Sequence, residues 1–583
     1  MVKKLINDKK LLLLIATCSI ILFLYYVRYV FQINTAYELP DEYGYLVNAA
    51  YLSGNKWSYL TNMYYGYGYS ILLMPLFWFG TNGTQIIRGA ILINAVCILL
   101  TFWIQIVLMS KMFKQVSRYT LVLVAFVLSF YPYLLASVTK VLCEVFLNLL
   151  VWLAGLLIFQ LIETEKWQYG LLLAINLAWI SFTHTRAVIF VISVILVSLL
   201  YFCINKEKLK KFWKWYLVLA VFLVFGYCLK QNLTDTIYKS VALANHSEES
   251  ATVVNTISGK HITGILTRIF RGNWLSLVYL FADKCFYLFV STFGTFYIGL
   301  YAVIKTWVNK IKKKETLIAR DWLSIIYAFS SLAMIAVLTL SSRLRTENVA
   351  FNFYGRYYEY LVLPVCFIGI VYVLNNKLNW KIWTGLISCL VVVSGLSYAQ
   401  YSMLESQKIS VDTFRWASFS YIISEWETYR SVIAIQFGIV LVFLIALWGI
   451  QHWKQQFGMV FLAIMLSAFL LNNQVIGSTV VEASQNALLD NEIFDYIMET
   501  TDSENVYFWD GQYISLTTKA QILLGKKTLC VIENSELENL EPGTLVITYY
   551  HAEELPECLQ RATLIKNGYN YQLFAIATPQ AEK

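Results

Sequence analysis

The sequence predicts an all-helical, multi-pass membrane domain of about 13 transmembrane helices, followed by a small α/β domain outside the membrane. Of its 583 residues, 58% are hydrophobic and only 14% are charged, which lies far outside the composition of soluble domains. Apolar runs of about 20 residues, the length that spans a bilayer core, recur along residues 1–473. The composition therefore excludes a disordered chain, a collagen and a coiled coil.

The first apolar run, residues 11–31, follows four lysines within the first ten residues. Because positive charge favours the cytoplasmic side, we expect a cytoplasmic N-terminus. No small-residue cleavage site follows before Pro40, so this run is predicted to be a retained helix and not a signal peptide. Twelve further spans are predicted at 85–109, 119–138, 141–161, 169–185, 187–204, 215–231, 285–304, 322–341, 358–375, 381–398, 431–450 and 457–473.

The net charge of +9 follows this predicted topology. The N-terminal tail and the even-numbered loops carry 22 Lys/Arg against 6 Asp/Glu, whereas the rest of the chain carries 23 against 30. This asymmetry is the positive-inside pattern of a protein of the cytoplasmic membrane. We therefore expect membrane lipids, and no nucleic acid, as partners.

Three predicted outer segments are too long to be simple turns: 33–84, 232–284 and 399–430. A fourth, shorter segment covers 342–357. The apolar stretch 67–79 is too short for a span and contains Pro75, so we predict a helix at the outer interface. Functional residues are expected in these outer segments.

Residues 474–583 are predicted to form a soluble extracytoplasmic α/β domain. From residue 473 onward the chain carries 16 acidic and 6 basic residues. Strands are predicted at 506–509, 528–532, 545–549 and 572–575, and a helix at 488–499. Without a phosphate-binding loop or a catalytic motif, the domain is expected to act as a lid or to contact the acceptor. A disulfide between Cys530 and Cys558 stays open, because these are the only two cysteines in the polar C-terminal part.

Two adjacent carboxylates, Asp41 and Glu42, directly follow Pro40 just beyond the first span. Proline begins a helix well, and the apolar spacing predicts a helix over 41–53, with both carboxylates in its first turn. Stabilisation by the helix dipole would explain them without any chemistry. Several ionisable residues at the same predicted membrane level favour a functional interpretation instead.

Glu144, early in the fourth span, and Arg356, before the tenth, belong to that level. For Glu144, an ion pair with Lys140 on the same helix face is one interpretation; an orienting role inside the bundle is the other. For Arg356, binding a lipid-linked phosphate suits its planar fork. The alternative is a structural pair with Glu359 or with lipid headgroups. Arg186, beside His184, and the pair Arg343 and Arg345 add further cations.

Four features occur in a characteristic order: the acidic segment 40–43, the tyrosine-rich stretch 64–70, Glu144, and the sequence Gly-Arg-Tyr at 355–357. Their order and placement resemble those of the GT-C glycosyltransferases, the protein O-mannosyltransferase and lipid A aminoarabinose transferase branches in particular. The resemblance covers roughly residues 1–475.

The resemblance implies an integral membrane enzyme that moves a sugar from a polyprenyl-phosphate donor to a glycan, lipid or protein acceptor on the outer face. An acidic residue of the first outer loop is catalytic in that family, which implies Asp41 as the general base, with Glu42 beside it. Donor-phosphate binding is assigned to Arg356, Lys140, Arg186, Arg343 and Arg345. Substrate orientation is assigned to Glu144, Tyr357, Tyr65 and Tyr67.

No set of His, Asp and Glu residues shows metal-ligand spacing, so no obligatory metal or other cofactor is expected. A divalent ion bridging phosphate to Asp41, Glu42 or Glu144 remains an alternative. A flippase or transporter of lipid-linked glycans is the competing function, although the sequence has no self-similar halves. A membrane O-acyltransferase would need an intramembrane histidine as its base. His184 is the only candidate for that base, and it stands beside Arg186 and not in an apolar setting.

Overall fold

Helices make up most of the molecule, as the long apolar runs predict. The computed structural model describes residues 8–36, 40–55, 57, 66–80, 82–245, 274–345, 349–402, 417–419, 428–453, 457–509, 514–549 and 555–577. The membrane-domain helices are α1 Lys9–Gln32, α2 Pro40–Leu52, α3 Tyr67–Phe79, α4 Gly83–Met112, α5 Arg118–Leu128, α6 Pro132–Thr139, α7 Glu144–Thr164, α8 Trp167–Thr183, α9 Val188–Ile204, α10 Lys206–Asn245, α11 Trp274–Thr292, α12 Thr295–Lys312, α13 Ala319–Ser341, α14 Ala350–Phe353, α15 Glu359–Asn375, α16 Trp380–Ser402, α17 Tyr429–Trp453 and α18 Phe457–Asn486.

The helices confirm a multi-pass membrane protein. Among the described residues, ten helices are long and apolar enough to cross a membrane, or up to twelve if two bent pairs each count as one span. The pair α5 and α6 is bent by 52°, and the pair formed by 350–357 and α15 by 71°. The sequence predicts 13 spans. The remaining predicted span, 169–185, corresponds to α8, whose 17 residues lie at the lower limit of a bilayer crossing.

Two predicted spans are wrong in their continuity, 119–138, which is broken between α5 and α6, and 285–304. The sequence predicts an unbroken helix over 285–304, but the helix is interrupted between α11 and α12. Phe293 (φ 49°) and Gly294 (φ 76°) both adopt left-handed backbone conformations there, which an α-helix does not accommodate. The uniform apolarity across this break hides it from a hydropathy pattern. Likewise, α10 extends to Asn245, and α11 already begins at Trp274, so much of the predicted outer segment 232–284 is helical.

The two helices predicted between the first and second spans agree with their sequence patterns. The helix predicted over 41–53 is observed as α2, and the predicted interfacial helix 67–79 is α3, with Pro75 inside it. Helix α2 is buried almost throughout: Tyr43, Tyr45 and Leu46 are fully enclosed. Because α2 packs on α3 and lies within the membrane-domain core, its first turn is held firmly in place.

The C-terminal domain is the predicted small α/β layer. Its elements are α19 Leu488–Thr500, β1 Asn505–Trp509, α20 Ile514–Leu524, β2 Thr528–Ile532, α21 Asn534–Leu537, β3 Leu545–Tyr549, α22 Glu557–Gln560, β4 Thr563–Asn567 and β5 Tyr571–Ala575. The strand order is β2-β1-β3-β5-β4, with β1 parallel to β2 and β3, and β5 antiparallel to β3 and β4.

All four predicted strands are confirmed, and β4 was missed because it is an edge strand that buries little apolar surface. The sheet is covered on both sides: residues of α19 and α20 share one buried cluster with Phe508 and Leu573, and residues of α21 and α22 share another with Val546 and Phe574. Helix α18 runs unbroken to Asn486, past the predicted boundary at 473. Cys530 and Cys558 are free thiols.

Candidate active site

The first turn of α2 presents the two carboxylates differently. Asp41 keeps 19% of its side-chain surface exposed, whereas Glu42 is completely buried. Acidic residues in a first helical turn are favoured by the helix dipole, so the local position of both follows from the sequence. Only Asp41 combines this position with access to a molecule outside the bundle.

Glu144 lies directly after an interruption between two helices. Helix α6 ends at Thr139, Val141 takes a left-handed conformation (φ 44°), and α7 begins at Glu144 itself. Lys140 and Glu144 therefore do not share a helix face, and the interpretation of Glu144 as an i,i+4 partner of Lys140 within one helix is wrong. Both side chains are buried.

Arg356 is positioned by a short turn between α14 and α15. Tyr354 (φ 36°) reverses the chain into the 3₁₀ turn Gly355–Tyr357. Gly355 is needed for close packing, because a Cβ there would lie 2.1 Å from the ring of Tyr287. Arg356 is only 2% exposed, so its charge requires partners within the protein.

Those partners are the two carboxylates from the other segments. The Arg356 guanidinium forms ion pairs with Asp41 through Nη1 and with Glu144 through Nε. Residues 41, 144 and 356 thus converge from three distant parts of the sequence. The predicted orienting role of Glu144 inside the bundle is consistent with this pair. We call these three residues the carboxylate–arginine triad.

The alternative pairing of Arg356 with Glu359 is wrong. Glu359 Oε1 instead accepts hydrogen bonds from the hydroxyls of Tyr131 and Tyr287, each at 2.9 Å. Because Tyr287 also packs on Gly355, the Glu359 carboxylate supports the turn that carries Arg356 without touching its guanidinium.

A cationic surface lies next to the triad. The Arg356 Cζ is 5.4 Å from the centroid of the Tyr357 ring, and the Arg186 Cζ is 3.4 Å from the same centroid. Tyr354 stacks on Tyr357 with ring centroids 4.0 Å apart. Arg186 is exposed. The predicted residues Arg186 and Tyr357 therefore meet at the edge of the triad.

Lys230 joins this surface and was not predicted. Its Nζ donates a hydrogen bond to Thr185 Oγ1 at 3.0 Å, beside Arg186 in sequence. The residue lies near the end of the predicted span 215–231. A lone lysine near the end of an apolar helix is a recognisable signal, but an ordinary snorkelling lysine gives the same pattern.

His184 is a neutral neighbour of these cations. Its Nδ1 accepts the backbone N–H of Arg186 at 3.1 Å, and its ring centroid lies 6.3 Å from that of Tyr357. Burial, followed by the charges of Arg186 and Arg356, lowers the pKa of His184 to about 3. The imidazole therefore adds no positive charge near neutral pH.

Of the other predicted site residues, Arg343, Arg345 and Tyr67 make contacts apart from the triad, and Tyr65 is not among the described residues. Arg343 and Arg345 are exposed, and Arg345 stacks on Phe351 with its Cζ 4.0 Å from the ring centroid. Tyr67 is buried, and its hydroxyl is 3.0 Å from Thr234 Oγ1. Tyr65 lies outside the described residues.

No group of three or more His, Cys, Asp and Glu side chains within the described ranges is arranged to hold a metal ion. In the triad, the Arg356 guanidinium pairs with both carboxylates. The arrangement is therefore that of a carboxylate held by a protein cation.

The C-terminal domain packs against the helix that carries Asp41. Helix α20 contacts α2 and α4, and the Trp57 indole N–H donates to Gly525 O at 3.0 Å. A Cβ on Gly83 would lie 2.5 Å from Ile522 O, which shows how closely α20 approaches the start of α4. The domain thus packs on the helix whose first turn carries Asp41.

The fold is shared with a protein of known structure. The crystal structure of ArnT from Cupriavidus metallidurans bound to undecaprenyl phosphate matches with a TM-score of 0.52 and 11% identity, over 98% of this chain and 100% of that one. The apo form of the same protein matches with a TM-score of 0.50 and 12% identity, over 97% of this chain and 100% of that one. No family model and no curated protein matches the sequence. The likeness shows the GT-C fold that the motif order predicts.

Proposed function

We propose that this GT-C protein is an integral membrane glycosyltransferase. It transfers a sugar from a polyprenyl-phosphate donor to an acceptor on the outer face of the cytoplasmic membrane, with inversion at the anomeric carbon. The observation that carries the proposal is the pairing of the partly exposed Asp41 with the buried Arg356. This pair places one ionised carboxylate at the edge of a cationic surface.

Asp41 is the general base. Its carboxylate takes the proton of an acceptor hydroxyl while the acceptor oxygen attacks the anomeric carbon from the side opposite the phosphate. The bond between that carbon and the phosphate oxygen breaks, and the lipid phosphate leaves with the bonding electron pair. Asp41 suits this role better than Glu144, because Glu144 is only 3% exposed.

Arg356 orients Asp41. Charge-assisted pairs are short and directional. The second ion pair, between Arg356 Nε and the buried Glu144, fixes the position of the guanidinium. A general base has to lie within hydrogen-bonding distance of the proton that it removes. Fixing the carboxylate by two linked ion pairs meets that requirement on a rigid element.

The leaving phosphate is assigned to the cations of the neighbouring surface, the exposed Arg186 and the half-buried Lys230. Arg186 is held against Tyr357, and Lys230 against Thr185; both cations are on segments next to the triad. Neutralising the charge that develops on the leaving oxygen lowers the barrier. Arg343 and Arg345 remain candidates for the outer phosphate contacts, and Arg356 is the cation nearest to the base.

The fold supports a lipid-borne donor, because the ArnT structure of the same fold is bound to undecaprenyl phosphate. The N-terminus is assigned to the cytoplasm by the charge asymmetry, which puts the triad and the C-terminal domain outside. The contact of α20 with α2 suits a domain that helps to bind the acceptor.

A deletion strain tests the function whichever sugar the donor carries. We expect it to accumulate a polyprenyl-phosphate sugar, detected by mass spectrometry of extracted lipids. The wild-type gene clears this lipid, whereas Asp41→Asn, which cannot accept the proton, lowers the clearance by about 100-fold or more. Asp502→Asn changes an exposed carboxylate of the C-terminal domain and serves as the matched control.

The same variant separates transfer from transport. A flippase does not need a general base, so Asp41→Asn would still move the lipid across vesicles made from those membranes. Full clearance by Asp41→Asn, at wild-type expression, would remove the enzyme proposal.

A further inference from the structure

A cavity of about 430 Å³ lies at the end of the membrane domain opposite the triad. Helix α15 starts next to the Arg356 turn, and the cavity is lined by its other end, at Tyr372 and Asn375. The remaining walls come from the loop after α4, the second half of α12 and the start of α13. This volume is typical of a small-molecule site, and the proposed glycosyl transfer makes no use of it.

The floor of the cavity is apolar. Val303, Ile368 and Phe113 line it, and they belong to one packed hydrophobic cluster between α12, α13 and α15. An apolar stripe also runs along α12 past the cavity: Ile304 and Ile311 are each 54% exposed, and Trp307 lies between them at helical spacing. This stripe continues the apolar face of the predicted span 285–304 toward the basic end of α12, so it offers an acyl chain an apolar path beside the cavity.

The rim of the cavity is cationic. Arg320 lines it with 24% of its side chain exposed and its Cζ 5.9 Å from the Phe113 ring. Asp321, on the same wall, is paired with Lys310 at 2.6 Å and lies 3.6 Å from Arg320. Arg320 and Lys310 thus face one carboxylate of the cavity wall. Lys305 adds a third positive charge, because its Nζ donates to the hydroxyl of the lining residue Tyr372 at 3.0 Å.

Trp307 supplies a buried donor. It lines the cavity, and within the described ranges its indole N–H is buried without a hydrogen-bond acceptor. A buried N–H without a partner costs about 1–3 kcal/mol. An anionic oxygen in the cavity would satisfy this donor and pair with Arg320 at the same time.

We propose that this cavity binds the phosphodiester headgroup of an anionic phospholipid, with an acyl chain along the apolar stripe of α12. The lipid belongs to the leaflet at the basic end of the helices, which the charge pattern predicts to be the cytoplasmic one. A free phosphate ion suits the rim but not the floor, and a zwitterionic lipid does not match the excess of positive charge.

Native mass spectrometry of the full chain in detergent tests the proposal. The protein is titrated with phosphatidylglycerol and, separately, with phosphatidylcholine of the same acyl chains. We expect one phosphatidylglycerol molecule to be retained preferentially. Arg320→Gln weakens this binding by about fivefold, the effect of one cation near a lipid phosphate. Trp307→Phe, which keeps the apolar volume and removes the N–H, weakens it as well.

Lys206→Gln is the matched control, because it removes an exposed charge of the same predicted membrane side, outside the cavity. It should leave the binding unchanged. Equal retention of both lipids, an equal loss in Lys206→Gln and Arg320→Gln, or displacement of the lipid by millimolar inorganic phosphate would each overturn the proposal. Thermal unfolding of each variant shows that the fold is retained. None of these readouts depends on sugar transfer.

Discussion

At the residue scale, Arg356 is buried and pairs with two carboxylates. The stability of the folded protein therefore depends on all three charges. A buried ion pair gains little over an apolar replacement, but removing one partner alone leaves an uncompensated buried charge. The triad therefore adds little to the stability of the fold, but it holds a carboxylate in a defined place. Its presence at a cationic surface favours a catalytic use.

Arg356→Ala should lower the free energy of unfolding by about 3–5 kcal/mol, because Glu144 then stays buried without its cation. The double variant R356A/E144Q should recover part of this loss, since it removes the unpaired charge. Thermal or chemical unfolding in detergent measures both. Equal stability of the single and double variants would show that the two side chains are not coupled.

Arg356→Lys keeps the charge but not the planar fork that reaches two carboxylates. We expect it to keep more donor binding than Arg356→Ala, and to lose turnover because Asp41 is less well oriented. Donor affinity and turnover measured separately test this expectation. Equal donor binding together with equal turnover in the alanine and lysine variants would indicate a purely structural arginine.

His184 gives the molecule a predictable pH dependence. Its pKa is about 3 in the folded protein and about 6.5 when unfolded. Between these values the unfolded chain binds a proton that the folded chain does not, so stability falls as the pH drops from about 6.5 toward 3. His184→Gln retains an acceptor for the Arg186 N–H and should reduce the difference in melting temperature between pH 7 and pH 5. An unchanged difference would contradict this.

At the element scale, the site residues are carried by interruptions of helices. Val141 and Tyr354 adopt left-handed conformations next to Glu144 and Arg356, which costs free energy for residues other than glycine. The surrounding packing has to maintain these breaks. The hydroxyls that bind Glu359 and the ring of Tyr287 against Gly355 are the contacts that do so for the Arg356 turn.

Helices α12 and α15 approach so closely that only glycine fits between them. A Cβ on Gly369 would lie 2.0 Å from Thr295 O. Gly369→Ala should therefore separate the helices, lower the unfolding free energy by about 1–3 kcal/mol and shift the turn that precedes α15. Gly385→Ala, with no atom within 4 Å of the added Cβ, is the control and should be neutral or slightly stabilising. Similar unfolding curves for the two variants would argue against the close packing.

At the scale of the whole molecule, the C-terminal domain and the membrane domain share packing. Ile522 of α20 belongs to the buried cluster of the membrane helices, and Asn491 Nδ2 donates to Asn34 O at 3.3 Å. The domain therefore rests on the helices around the candidate site. Its orientation follows that of the membrane domain.

The predicted orientation is tested by cysteine labelling in intact cells. In a background with Cys203, Cys228, Cys389, Cys530 and Cys558 replaced by Ser, Asp502→Cys should react with a membrane-impermeant maleimide. Lys313→Cys, within the basic segment after α12, should react only after permeabilisation. Reaction of Lys313→Cys in intact cells would reverse the topology, and with it the assignment of the site to the outer face.

The sequence by itself determined the membrane helices, the helix that begins at Pro40, and the four more buried strands, because run length and alternation are local properties. It also brought Asp41, Glu144 and Arg356 forward as separate candidates. Only the tertiary structure decided that they pair with one another, since they are over 100 residues apart and meet through the packing of two helices and the turn before α15. The same applies to Lys230 beside Arg186, and to the breaks between α5 and α6 and at Phe293, where an apolar run continues although the helix does not.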